Sequence, residues 1–286
     1  MNAVPATFAA SLRHFSYAGA IRIPAAILLA IVVAALLGPL LSAHDYFSMD
    51  LSGRLESPSL EDGRLFGTDD LGRDLFVRTM SGARVTLLVA VVASLVSLGI
   101  GVAYGAIAGY AGGRIDAFMM RMVDALYALP FMFLVILLMV AFERNFLLIF
   151  VAIGAINWLD MARIVRGQTL ALKQREFVAA ARLIGVPAPA IVFRHIVPNL
   201  LGVVVVYVTL TIPQAILVES FLSFLGLGVQ EPQTSLGALV NDGVAQMERA
   251  PWMLVIPATV LALILMSFNF LGDGLRDALD PRLRER

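Results

Sequence analysis

Two polar stretches hold most of the side chains with which this chain of 286 residues could do chemistry. One reads FGTDDLGRDLFVRTMSGA at 66–83, the other REFVAAARLIGVPAPAIVFRHIVPN at 175–199. The first carries Asp69, Asp70 and Asp74, but the D-x-[DN]-x-[DN]-G spacing of a calcium loop is missing. Its order assigns Thr68 or Asp69 to capping a helix, with Asp69 and Asp70 in the first turn against the positive dipole end. Leu71, Leu75, Phe76, Met80 and Ala83 then fall on one side, which predicts an amphipathic helix on the outer membrane surface. The three histidines, His14, His44 and His195, are too scattered for a zinc spacing, and cysteine is absent. No metal site is expected.

Catalytic patterns are equally missing. The chain has no G-x-x-x-x-G-K-[ST], and its one lysine, Lys173, has no glycine-rich approach. Neither H-E-x-x-H nor G-x-S-x-G occurs. No catalytic residue and no cofactor of the chain's own are therefore expected. A formal net charge of zero leaves no electrostatic footprint for nucleic acid.

The second stretch reads as a docking element. Phe177, Ala180, Ala181 and Ile184 recur at helical spacing, with Arg175 and Arg182 turned elsewhere. Gly185 can take the left-handed conformation that ends a helix. Pro187 and Pro189 then open a second short helical piece, which Pro198 closes. Small alanines leave room on which another protein can settle.

These stretches sit among apolar runs. Hydrophobic residues make up 59% of the chain and charged ones 15%, against about 25% in a soluble domain; mean hydropathy is +0.86. A bilayer core takes about 20 apolar residues per helix. Six runs qualify or nearly do, at about 23–43, 86–110, 125–142, 146–164, 200–219 and 252–272. The first is read as an uncleaved anchor, because it is longer than a secretory signal's apolar core. With the N-terminus inside, the cytoplasmic segments carry 14 basic residues and the outer ones 7. This bias puts both termini and the second polar stretch in the cytoplasm.

Within the second run, Ala93, Ser97, Gly101, Gly105 and Gly109 recur every fourth residue. Small side chains on one face let two helices approach closely, within the chain or against a second subunit. Pro130 and Pro213 predict kinks in the third and fifth spans.

At Ala180-Ala181, Gly185 and Pro198 the spacing resembles the EAA loop of the permease subunits of bacterial ABC importers. Ala179 stands where that motif usually has glutamate, with Glu176 three residues earlier, and His195 stands where isoleucine is common. FGTDDLGRDLFVRTMSGAR at 66–84, FLSFLGLGVQEPQTSLGALV at 221–240 and GDGLRDALDPRLR at 272–284 are similar to segments of the C-type permease of dipeptide, oligopeptide and nickel importers.

The resemblance implies an all-α polytopic membrane protein with the six-helix fold of type I importer permeases, in the bacterial inner membrane. A tail, first span and start of the outer loop (1–65) would precede a permease core (66–286) whose coupling loop lies at about 166–198. It implies a homologous second permease, two ATPase subunits that bind ATP and Mg2+, and a periplasmic or lipid-anchored solute-binding protein. The coupling residues would be Glu176, Ala179, Ala180, Ala181, Gly185 and Pro198. Thr209, Thr211, Gln214 and Asn269 are assigned to a polar substrate path, and Ser97, Gly101, Gly105 and Gly109 to helix packing. Peptides are the expected cargo, with nickel or another small solute as the alternative. An ion-coupled secondary transporter would place ionisable groups in mid-span, and these runs hold almost none.

Overall fold

The structure, a computed structural model, describes residues 6–130, 132–133, 135–137 and 146–279. Among these residues the regular elements are helices: α1 Ala6–Leu41, α2 Leu75–Ala111, α3 Gly113–Tyr127, α4 Phe146–Leu172 and α5 Glu176–Leu183. They continue with α6 Ala188–Phe224, α7 Leu236–Ala245 and α8 Trp252–Leu279. A 3-10 turn at Leu51–Gly53 and two isolated β-bridges, Ser59 with Arg64 and Thr68 with Asp74, accompany them among the described residues.

Four segments of the described residues are long and apolar enough to cross a membrane: Ile21–Leu41, Leu75–Ala111, Ala188–Phe224 and Trp252–Ala278. They contain almost all of the first, second, fifth and sixth apolar runs. The fourth run lies inside α4, a helix of 27 residues. Much of the third, 125–142, lies outside the described residues. The kink expected at Pro130 is instead a helix end. α3 stops at Tyr127 and the chain is non-helical from Ala128 to Pro130, because proline disfavours a helical residue before it.

The 66–83 stretch is not one amphipathic helix. Gly67 and Gly72 hold φ of +74° and +72°, which a right-handed helix does not allow. Residues 66–74 fold into a tight loop around Asp69, whose Oδ1 accepts from the backbone N–H groups of Leu71 (2.9 Å) and Arg73 (2.8 Å). The helix begins only at Leu75. Its cap is Asp74 rather than Thr68 or Asp69, with Oδ1 accepting from Val77 N–H at 2.9 Å. From there α2 runs unbroken for 37 residues.

A second departure concerns Pro198. The expected break does not occur, since Ala188 to Phe224 is continuous helix. A π-helical stretch, Ile191–Ile196, comes just before the proline. Widening the turn there accommodates a ring that has no N–H and crowds the carbonyl four residues back.

The chain divides into two compact units. One joins the chain up to Leu88 with that from Ser220 onward; the other is Val89–Glu219. In the first, Gly274 of α8 meets Ile21 of α1, and Gly243 of α7 meets the backbone of Met253 and Leu254. Leu75, Ala250 and Met253 are its small apolar centre, covered by Leu55, Phe66, Trp252 and Ile256. In the second, Ala106, Met161, Val165, Val178, Ala181, Ile191, Val192, Ile196, Leu200 and Val204 form one core. That core fixes the second polar stretch in place.

Candidate functional site

α5 starts without a side-chain cap, but Glu176 in its first turn and Arg182 in its last both suit the helix dipole. Its end is a glycine cap in full form. Gly185 has φ +80°, its N–H reaches Arg182 O at 3.0 Å, and Val186 N–H reaches Ala181 O at 3.0 Å. Val186 packs on the same core as Ala181, the apolar contact that accompanies such a cap. The four-residue step from Ala181 to Gly185 thus has a mechanical reason.

That cap also decides which face is buried. The face expected from spacing was Phe177, Ala180, Ala181 and Ile184, but the buried positions are Val178 and Ala181. Closing Val186 onto Ala181 turns the 178/181 side inward. Leu183 is left 88% exposed and Ile184 81%, with Phe177 exposed beside them. Glu176, Ala179, Ala180, Gly185 and Pro198 are exposed as well. Glu176 and Ala179 are three apart and share a side of α5. Ala179, Ala180 and Gly185 thus leave small exposed positions around the end of α5, which carries the two bare aliphatic side chains of Leu183 and Ile184.

The glycine stripe of α2 lies against α4. A Cβ on Gly101 would come within 2.6 Å of Met161 Cβ, and one on Gly109 within 2.8 Å of Arg166 O. At Gly105 it would overlap Ala162 O and lie 2.9 Å from Val165 Cβ. Ser97 is buried, its hydroxyl without a hydrogen-bond partner among the described residues. Polar side chains fasten α3 to α4. Arg166 grips Asp116 with Nε at 2.5 Å and Nη2 at 2.6 Å, and Arg163 Nη2 meets Asp124 Oδ1 at 2.9 Å.

Of the polar residues assigned to a path, Thr209 and Thr211 donate to carbonyls of their own helix, Val206 O (2.7 Å) and Tyr207 O (2.6 Å). Only their acceptor lone pairs stay available. Gln214 on α6 and Asn269 on α8 are exposed.

The first unit carries a separate polar assembly. Asp69 Oδ2 holds Arg73 Nε at 2.6 Å and lies 3.4 Å from Arg78 Nε, while Arg73 Nη1 reaches Glu231 Oε1 at 2.9 Å. The Arg73 guanidinium holds the Glu231 carboxyl below the ordinary glutamate range. Tyr46 OH donates to Pro232 O at 2.7 Å, and Trp252 Nε1 to Thr68 O at 3.3 Å. Among the described residues no group of three or more His, Cys, Asp or Glu is arranged to hold a metal ion. Sequence reasoning missed this assembly, and it missed the exposed Leu183-Ile184 tip. The tip had a signal in the glycine cap, whose geometry fixes the buried side; the pairing with Glu231 had none.

Residues 101–285 match the family of binding-protein-dependent transport system inner membrane components. Over 258 residues the chain is 54% identical to the oligopeptide transport system permease protein OppC of Haemophilus influenzae, covering 90% of this chain and 83% of the relative. With OppC of Escherichia coli the identity is 53% over 258 residues, 90% and 85% of the two chains. With the dipeptide transport system permease protein DppC of Bacillus subtilis it is 48% over 259 residues, 90% and 80%.

Proposed function

The chain belongs to the family of binding-protein-dependent transport inner membrane components, and on that premise we propose that it is the permease subunit of an ABC importer that conducts peptides across the inner membrane. The reading rests on the outward presentation of Leu183 and Ile184 by a helix whose other side is fixed in the core. Residues at about 166–198 form the loop that docks on a separate ATPase, with Glu176, Ala179, Ala180, Ala181, Gly185 and Pro198 as its coupling residues. ATP and Mg2+ bind the two ATPase subunits; this chain does no covalent chemistry. A homologous second permease completes the pathway, and a solute-binding protein delivers cargo from outside.

Six spans place both termini in the cytoplasm. Support comes from the four long apolar helices and α4, together with the excess of arginine in the segments that would lie inside. Residues 1–65 form the tail, anchor and start of the outer loop, and 66–286 the permease core. Gln214, with the acceptor lone pairs of Thr209 and Thr211 on the same helix, would offer polar groups to a zwitterionic peptide.

The experiment is purification of the tagged chain in mild detergent with identification of what stays bound, then uptake in proteoliposomes with the binding protein. Co-recovery of an ATPase and ATP-dependent uptake of a labelled oligopeptide are expected. A chain recovered alone would sink the importer reading; nickel uptake without peptide uptake would sink the cargo.

A further inference from the structure

Tyr110 lies one residue before the end of α2. Its ring receives two cations, Arg182 with Cζ 5.1 Å and Lys173 with Nζ 5.6 Å from the centroid. Arg182 Nε also donates to the Tyr110 hydroxyl at 3.3 Å. Lys173 is the first residue past α4, and Arg182 stands in the last turn of α5, directly before Leu183. One aromatic ring thus joins the end of α2 to both sides of the α4–α5 turn. Two like charges would otherwise separate; the electron-rich ring face attracts each of them.

The surroundings make this contact directional. α2 has no slack against α4, because Gly101, Gly105 and Gly109 bring the two backbones together. Val178 and Ala181 pack α5 on a core shared with α2, α4 and α6, and apolar packing of that kind has no preferred direction, whereas the hydrogen bond from Arg182 to the Tyr110 hydroxyl does. Arg182, adjoining Leu183, gives the exposed tip of α5 a polar contact with α2 in addition to that core.

We propose that Tyr110 is a positioning residue for coupled transport, transmitting displacement of the loop to α2 through its ring and the cations of Arg182 and Lys173. The inference rests on the reading of about 166–198 as the ATPase-docking loop. The experiment measures ATP hydrolysed per peptide imported by the reconstituted complex carrying Tyr110→Phe, Tyr110→Leu or Arg182→Gln. Tyr110→Leu should raise that ratio about fivefold, with the ATPase still co-purifying in normal amount. Tyr110→Phe, which keeps the ring, should stay within about twofold of the unaltered complex, and Arg182→Gln should shift as Tyr110→Leu does.

A merely structural tyrosine would lower the yield of complex and leave the ratio per assembled complex unchanged. If Tyr110→Leu fails to assemble, Arg182→Gln decides. An unaltered ratio in either variant overturns the assignment. Failure of the unaltered chain to retain an ATPase or to import peptide is a separate result, which overturns the docking-loop reading and this inference with it.

Discussion

Arg73 and Glu231, 158 positions apart in sequence, meet at 2.9 Å between Nη1 and Oε1. The arginine side chain is 8% exposed and the glutamate 69%. Arg73 is held from the other side by Asp69, so Glu231 is the outer and more dispensable partner. The pair fastens the loop before α7 onto the turn before α2.

Glu231→Gln should therefore cost less than about 1 kcal/mol, the range of solvent-exposed ion pairs. Its pH dependence has a definite sign. A carboxyl lowered in the folded state stabilises above its unfolded pKa, and that contribution is lost as pH falls through the folded pKa. Thermal unfolding of the purified complex should show a constant gap between the unaltered chain and Glu231→Gln from about pH 5 to 8. Below about pH 4 the gap should close. A gap that widens on acidification would mean that the carboxyl is raised rather than lowered in the folded state and that the Arg73 contact does not form.

Asp74 both caps α2 and lies 3.4 Å from His44 Nδ1. Asp74→Ala should cost about 1 kcal/mol, as loss of an N-cap usually does. Asp74→Asn should recover most of it, since asparagine caps as well as aspartate. Hydrogen exchange at the amides of the first turn after Leu75 reports the difference locally. Equal protection in both variants would assign the effect to the His44 contact instead.

How far the sequence discloses this arrangement differs from residue to residue. The turn at Gly185 is legible because a single glycine after an alanine-rich helical segment has a local cause, the left-handed cap. The cap at Asp74 is not, because three aspartates compete within six residues and the positive φ of Gly72 decides among them. Leu183 and Ile184 look like core residues by composition. They are outside because the cap closes Val186 onto Ala181. Four-residue spacing on α2 announces a close approach, yet it does not name Met161, Ala162 and Val165 as what is approached. Arg73 and Glu231 belong to distant segments, and neither local propensity nor periodicity carries that information.

The α2–α4 contact should be intolerant at one glycine and indifferent at another. A side chain on Gly105 meets the Ala162 carbonyl and Val165 Cβ, whereas one on Gly99 meets nothing within 4 Å. Gly105→Leu forces backbone apart and should cost about 3 kcal/mol or more, seen as loss of assembled complex. Gly99→Ala should assemble normally and gain slightly from better helix propensity. Normal yield of Gly105→Leu would show that α2 and α4 separate readily, which the packing of their backbones argues against.

Gly185 offers the cleanest separation of conformation from crowding. Its φ is +80°, and a Cβ there would meet nothing within 4 Å, so a side chain is opposed by backbone strain alone. For an ordinary residue the left-handed conformation costs about 1–2 kcal/mol, and β-branched valine is among the worst suited to it. Gly185→Val should release the cap, misdirect Leu183 and Ile184, and raise the ATP hydrolysed per peptide while the chain still inserts. Gly185→Asn should fall between, because asparagine visits this conformation at lower cost. The order Gly, Asn, Val in coupling, measured as ATP turnover against peptide uptake in one proteoliposome preparation, would tie the defect to the backbone conformation. Normal coupling by Gly185→Val would mean the loop docks without its glycine cap. Equal failure of Asn and Val would point to a partner surface that tolerates no side chain at this position.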